Sequence, residues 1–145
     1  MLKKFLVSAA VVMSTVSHAI AEEVSDLVAV VTSSQPQIQL MSMVLSVQAA
    51  QQGVNVHVLL CGAAGDMALK DAPEAVTAPQ PPLNVSPQTF MTILAANENT
   101  TIEVCALYLP GKNIQQTDLL EGIGVASPGD MAALLTTGSA RVISF

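Results

Sequence analysis

The chain has 145 residues, the length of one domain, and its 11 acidic residues outnumber its 5 basic ones, so its net charge is −6 at pH 7. Hydrophobic residues make up 51% of the sequence and charged residues 11%, which excludes intrinsic disorder. Nucleic-acid binding is not expected, because it needs clustered Lys and Arg for the phosphates or aromatic rings for the bases, and only 3% of the residues are aromatic. Two cysteines are too few for a disulfide-rich scaffold.

Residues 1–21 have the pattern of a cleaved signal peptide. Two lysines are followed by an apolar stretch that is too short to span a bilayer, and Ala19-Ile20-Ala21 is a small-residue cleavage site. We expect residues 22–145 to be exported to the periplasm as a single domain, with no membrane insertion after cleavage. Cleavage would leave three basic residues against 11 acidic ones, hence a net charge of −8.

The next segments predict a strand, a helix and a second strand. Residues 27–31 are a continuous β-branched apolar run, which is typical of a strand buried on both faces. A helix is predicted from Pro36 to the residues before Gly53, a suitable C-terminal cap. Its predicted core positions have helical spacing, and they are Ile38, Met41, Leu45 and Ala49, with Leu40, Val44 and Val47 beside them. Residues 54–60 are the second strand, followed by a small-residue turn over 61–66.

Five of the eight prolines lie within residues 71–88, which predicts a long extended surface loop. Such a loop is either functional, an oligomer contact or a tolerated insertion. The elements predicted after it are, in chain order, a helix from Ser86-Pro87, a strand over 101–105, a loop over 106–113, a helical turn over 118–121, a strand over 123–126, a helix capped by Ser127 and Asp130, and a strand over 141–145. The core positions predicted for these two helices are Phe90, Met91, Ile93 and Leu94 in one and Met131, Leu134 and Leu135 in the other.

Strands that alternate with helices indicate an α/β fold. We predict a three-layer α/β/α domain with a mainly parallel, five-stranded sheet of the flavodoxin-like kind, with right-handed crossovers. In the common flavodoxin-like order the first strand lies between the second and the third.

Most kinds of catalytic and cofactor site have no matching motif in the sequence. It contains no zinc-binding pattern, phosphate loop, dinucleotide fingerprint or nucleophile elbow, so no metal or cofactor is expected. His57 is interpreted as a structural residue of a strand, and the glycines Gly62 and Gly65 as parts of a turn. Met41 and Met43, two residues apart on a helix, point to different faces, which favours core packing over copper binding.

Cys61 and Cys105 are the candidate site, because each follows a predicted strand at its carboxyl end, where ligands gather in open parallel sheets. Three interpretations stay open: a reactive thiol at Cys105, a disulfide between the two cysteines, or two buried thiols. Neighbouring strands would permit a bridge. An intervening strand would separate the Cα atoms by about 9–10 Å, and the loops would then have to bend inward.

Three segments carry a family resemblance: residues 102–110 read IEVCALYLP, residues 59–62 read LLCG, and residues 118–126 read DLLEGIGVA. They resemble the DsrE/DsrF-like sulfur-relay family and its exported, DsrE-like members. The resemblance implies a three-layer α/β domain in homo- or hetero-oligomers. It also implies sulfur transfer through a persulfide on Cys105, with a sulfurtransferase donor and an acceptor protein as partners.

Two functional hypotheses follow. In the first, Cys105 of a sulfur carrier holds the persulfide, Cys61 is a resolving or modulating thiol, and Lys112 supports the thiolate; whether there is catalytic turnover stays open. In the second, the protein is a non-enzymatic periplasmic binding or assembly module with a structural Cys61–Cys105 disulfide. In both cases we expect a homo-oligomer that pairs through apolar surface.

Overall fold

The computed structural model of the protein describes residues 25–136 and 138–145, so the predicted signal peptide at residues 1–21 lies outside the described part. The strands are β1 (Asp26–Val31), β2 (Asn55–Leu60), β3 (Thr100–Cys105), β4 (Gly124–Ala126) and β5 (Ala140–Ser144). The helices are α1 (Pro36–Gln51), α2 (Glu74–Thr77), α3 (Pro87–Ala95), α4 (Tyr108–Lys112) and α5 (Pro128–Thr136), and 3₁₀ turns span Gly62–Ala68 and Gln116–Asp118.

The five strands form one sheet in the order β4-β3-β2-β1-β5, and every neighbouring pair is parallel. The predicted fold class, a three-layer α/β/α domain with a parallel five-stranded sheet, is confirmed. The flavodoxin-like strand order is wrong for this chain, because β2 lies directly beside β3 and β1 lies on the other side of β2. From β1 to β4, each strand lies beside the preceding one on the same side of the sheet, and β5 then pairs with the free edge of β1.

Each face of the sheet has its own apolar core. Alternate residues of the strands, among them Val31, Val58 and Val104, face the larger core, to which α1 and α3 contribute Met43 and Leu94. The opposite face has a smaller buried cluster, to which α5 is adjacent. It consists of Val28, Leu59, Cys105 and Ala126, with Met131 and Leu134 of α5 packed against it. Burial on both faces explains why β1, between β2 and β5, has a continuous apolar run over residues 27–31.

The core face predicted for α1 is partly wrong. Ile38, Met41 and Leu45 are exposed. Leu40 and Val47, predicted beside them, are buried, and so is Met43. Apolar residues lie nearly all round this helix, so helical spacing alone does not select one face. The prediction that Met41 and Met43 point to different faces is confirmed.

Short helices occupy segments where the sequence predicted loops. The proline-rich stretch over 71–88 includes α2, which buries Val76 in the larger core, and the predicted loop over 106–113 includes α4, which buries Tyr108 there. Both helices have too few residues to form alone, so tertiary packing of one side chain determines each. Asn113, in the left-handed conformation at φ 56°, ends α4.

Two further turns differ from the prediction in extent. The small-residue turn after β2 continues as a 3₁₀ helix over Gly62–Ala68, in which Met67 is buried. The helical turn expected over 118–121 lies instead over Gln116–Asp118, because the Asp118 carboxylate accepts a hydrogen bond from the Gln115 backbone N–H at 2.8 Å. Ser127 caps α5 as predicted, accepting from the Asp130 N–H at 3.2 Å.

Among residues 25–136 and 138–145, none of the helices combines the length and the apolar character that crossing a bilayer requires.

Two adjacent residues of α3 test the packing of this helix. Leu94 is 0% exposed in the larger core, whereas Ile93, also predicted to be buried, is 49% exposed. We expect Leu94→Ala to lower the free energy of unfolding by about 2–5 kcal/mol, because it leaves a cavity. The matched change Ile93→Ala should alter it by less than about 1 kcal/mol. Urea unfolding followed by circular dichroism measures both, and equal losses would contradict this orientation of α3.

Candidate functional site

The register of β2 and β3 places the two cysteines opposite each other. Leu60 pairs with Val104 in the parallel ladder, and the next position along both chains brings Cys61 beside Cys105 on the same face. Their Cα atoms are 5.1 Å apart and the side chains form a disulfide, a separation within the usual range for bridged cysteines. The separation of about 9–10 Å, expected if a strand intervenes, is wrong because no strand lies between β2 and β3.

The disulfide lies at the boundary between the smaller core and the surface. Cys105 is 8% exposed and packs in the cluster that contains Leu59 and Ala126. Cys61 is only partly buried, and its backbone N–H donates to the carbonyl of Val31 at 2.9 Å. A reagent from solution therefore meets the Cys61 side of the bridge more readily than the Cys105 side.

Asp66 connects the two segments that follow the cysteines. It lies in the 3₁₀ helix after Cys61, and its Oδ1 atom accepts a hydrogen bond from the Tyr108 hydroxyl at 2.7 Å. The same oxygen lies 2.7 Å from Nζ of Lys112, which is in α4 after Cys105. We call Asp66, Tyr108 and Lys112 the Asp66 clamp. The Lys112 ammonium, predicted to support the Cys105 thiolate, pairs with Asp66 in this disulfide form.

Gly65 has a packing role in the clamp. A Cβ atom built on Gly65 would overlap the ring of Tyr108, so a larger residue would displace the ring from Asp66. Gly62 has a conformational role instead, because its φ of 57° lies in the left-handed region that favours glycine. The sequence places both glycines in a turn, but it does not mark Asp66 or Tyr108 as residues of the site. The available signal was position alone, since Tyr108 follows Cys105 closely and is the chain's one tyrosine.

The environment of Tyr108 favours the neutral phenol. Burial raises the pKa of Tyr108 above its ordinary value, and the hydrogen bond and the charge of Asp66 raise it further. The neutral hydroxyl is the form that donates to Asp66, so the raised pKa extends this hydrogen bond to a higher pH than an ordinary tyrosine would allow.

A cavity of about 770 Å³ opens beside the disulfide. Both cysteines contribute to its wall, together with Leu107 before α4 and with Met131 and Leu135 of α5. Leu107 is 80% exposed, an unusual environment for a leucine. Lys112 is the charged residue of the described lining, and His57, on β2, is not part of it.

Within the described ranges, no three His, Cys, Asp or Glu side chains lie close enough together to hold a metal ion. The disulfide itself offers sulfur chemistry: thiol–disulfide exchange at the Cys61–Cys105 bridge, and nucleophilic attack by a thiolate once the bridge is reduced.

Two solved structures have a similar fold. The YchN protein from E. coli matches with a TM-score of 0.65 and 16% sequence identity over 83% of this chain and 98% of its own. MTH1491 from Methanobacterium thermoautotrophicum, a protein of unknown function, matches with a TM-score of 0.58 and 17% identity over 83% of this chain and 97% of its own. At such identity the similarity establishes the fold alone. The sequence matches no protein-family model and no curated protein.

The clamp predicts a delayed titration of Tyr108. In the folded protein, tyrosinate absorbance should rise only well above pH 10, the ordinary pKa of tyrosine being about 10. Asp66→Asn should move the titration back toward that value, because it removes the carboxylate charge, whereas the exposed control Asp71→Asn should not. Since the chain has one Tyr and no Trp, near-ultraviolet absorbance follows this group directly.

The same pKa shift predicts a pH dependence of stability. The folded-state pKa of Tyr108 is raised, so its contribution is fully present below about pH 10 and is lost as the pH rises through the folded-state value. Titration of native Tyr108 near pH 10, as in the unfolded chain, would contradict the clamp.

Proposed function

We propose that the protein is an exported sulfur carrier of the DsrE/DsrF-like kind, in which Cys105 carries a persulfide and Cys61 acts as the resolving thiol. The observation that carries the proposal is the pairing of these two cysteines at the carboxyl edge of the sheet, beside a cavity that reaches solvent. The resemblance of residues 102–110 to the cysteine segment of that family supports it, as does the fold shared with YchN and MTH1491. Export to the periplasm is part of the proposal and rests on the pattern of residues 1–21.

Sulfur loading needs the reduced form. The Cys105 thiolate attacks the terminal sulfur of a persulfide donor, a new S–S bond forms at Cys105 Sγ, and the donor leaves as a thiolate, with no net oxidation. A thiolate on an acceptor protein removes the terminal sulfur in the same way and restores the Cys105 thiolate. Donor and acceptor are proposed to be proteins.

Cys61 provides a second fate for the persulfide. Its thiolate, opposite Cys105, attacks Cys105 Sγ, forms the disulfide seen in the structure and expels hydrosulfide. Two electrons from a thiol reductant then reopen the bridge. This step is intramolecular, because both cysteines belong to one chain. Their short Cα separation makes it fast relative to attack by a dilute external thiol.

A structural disulfide in a binding or assembly module is the second candidate function. The observation that favours it is the bridge itself, which closes a sequence separation of 44 residues. In the chain-entropy account a loop of that length stabilises the fold by about 4 kcal/mol. In this alternative the reduced protein carries no sulfur.

The mass of the loaded protein distinguishes the two candidates. After reduction with a phosphine, removal of the phosphine and exposure to inorganic polysulfide, the protein should gain the mass of one sulfur atom and then lose it as Cys61 expels hydrosulfide and the disulfide returns. Cys105→Ser should gain none, because the attacking thiolate is gone. Cys61→Ser should gain one sulfur and keep it longer, because no resolving thiol expels hydrosulfide. Absence of the gain in reduced Cys61→Ser, which has no thiol to expel hydrosulfide, or a gain that persists in Cys105→Ser, would contradict the sulfur carrier.

We also propose that the protein self-associates through α1. Ile38, Met41 and Leu45 are exposed and share one face of this helix by their spacing. Exposed apolar residues in one contiguous row are typical of a subunit contact.

Light scattering tests this association. We expect a dimer or larger species, and Leu45→Glu should dissociate it, because a carboxylate would be buried in the contact without a partner. Leu83→Glu, at an exposed leucine outside α1, should leave the molecular mass unchanged. A protein that is monomeric at every concentration would be evidence against the contact.

A further inference from the structure

The cavity beside the disulfide is much larger than sulfur transfer alone requires. A hydrosulfide ion, similar in size to a water molecule, needs only about 30 Å³, whereas the cavity measures about 770 Å³. That volume lies in the range of pockets that hold organic molecules, about 300–1,000 Å³. The space therefore suits a ligand whose sulfur atom is attached to an organic group.

The walls of the cavity favour an apolar organic group. Leu107 is 80% exposed and Leu135 is 39% exposed, and both contribute to the wall. Met131 of α5 also lines the cavity and packs against the buried cluster that contains Cys105. An alkyl or aryl group in this space would remove these side chains from water, and that transfer is favourable in proportion to the apolar area buried.

Charge selects against an ionic ligand. Lys112, the charged residue of the described lining, is already paired with Asp66 at 2.7 Å, so a carboxylate or sulfonate must compete for it. The net charge of −6 further repels anions. An ammonium group has no acidic side chain in the described lining to receive it.

We propose that this cavity binds uncharged thiols with an apolar alkyl or aryl group and presents their sulfur to the Cys61–Cys105 disulfide. The inference deepens the proposed function, because it identifies the class of reductant that reopens the bridge, and it rests on that function in treating the cysteine pair as the reacting centre.

The exchange proceeds in two balanced steps. The ligand loses its proton to solvent, and its thiolate attacks Sγ of Cys61, the more exposed cysteine; the Cys61–Cys105 bond breaks and Cys105 leaves as a thiolate. A second ligand thiolate then attacks the mixed disulfide on its ligand sulfur and releases an organic disulfide and the Cys61 thiolate. Two thiols are oxidised, the protein disulfide is reduced, and Cys105 becomes free to accept sulfur.

A homologous series of thiols tests the proposal on the oxidised protein. Ethanethiol, butanethiol and hexanethiol have similar thiol pKa values, so their thiolates have similar intrinsic reactivity. We expect the rate constant for release of the Cys105 thiol, expressed per thiolate, to rise by up to about fourfold for each methylene that the cavity buries. Mercaptoethanesulfonate should react more slowly than ethanethiol. The released thiol is measured by alkylation and mass spectrometry.

Variants locate the effect in the cavity. Leu107→Asn and Leu135→Asn keep the side-chain size but replace part of the apolar wall with a polar group. Each should flatten the dependence of the rate constant on the alkyl chain length of the thiol. Leu83→Asn, at an exposed leucine that does not line the cavity, should leave it unchanged. A flat series in the unmodified protein, no exchange with any thiol, or a steep series in both cavity variants would overturn the proposal.

The two proposals fail separately. The persulfide experiment uses inorganic polysulfide on phosphine-reduced protein, so it does not depend on the cavity. A flat thiol series together with sulfur gain at Cys105 would remove the ligand class and leave the sulfur carrier. A steep series without sulfur gain would remove the carrier and leave a cavity specific for apolar thiols.

Discussion

The pairing of β2 with β3, parallel and in register, is the constraint on which the site depends. It brings the carboxyl ends of the two strands to one edge of the sheet. The two cysteines there are 44 residues apart in sequence, and their side chains lie on the same face of the sheet. The hydrogen bonds of the ladder set this register, and the two cysteines lie one position beyond its pairing of Leu60 with Val104. The disulfide therefore forms between positions that the backbone already holds close, and the loops need no inward bend.

The Asp66 clamp makes that arrangement independent of the sulfur bond. Asp66 follows Cys61, and Tyr108 and Lys112 follow Cys105, so the hydrogen bond and the ion pair join the same two segments as the disulfide does. The hydroxyl donor is buried and its pKa is raised, which keeps it protonated and paired. Neither the ladder nor the clamp contains a sulfur atom, so opening of the bridge breaks none of their contacts directly. A pair held in this way is suited to repeated opening and closing, because little conformational entropy is lost at each closure.

The sequence predicted features determined by neighbouring residues. The central strands follow from apolar β-branched runs, and the placement of Cys61 and Cys105 at strand ends follows from where those runs stop. Strand order does not follow, because both edges of β1 present the same backbone N–H and C=O groups, and local sequence does not say which later strand pairs with each edge. The buried face of α1 and the existence of α4 depend on contacts between distant segments, as the burial of Tyr108 against Gly65 illustrates. The Asp66 clamp could not be predicted without them.

The position of Cys105 along β3 determines the face of the sheet on which its side chain lies, and therefore the access of solvent to its sulfur. Successive side chains of a strand point to opposite faces, so Val104 lies in the larger core that α1 and α3 cover, and Cys105 lies on the face next to α5. A cysteine at position 104 would be fully buried and would act as a small hydrophobic residue. On the α5 face, coverage is incomplete, and the gap beside Leu107 and Leu135 becomes the cavity that gives solvent access to the disulfide. Reactivity at this site therefore depends on a face of the sheet that remains only partly covered, and the exposed leucines there are the energetic cost of that opening.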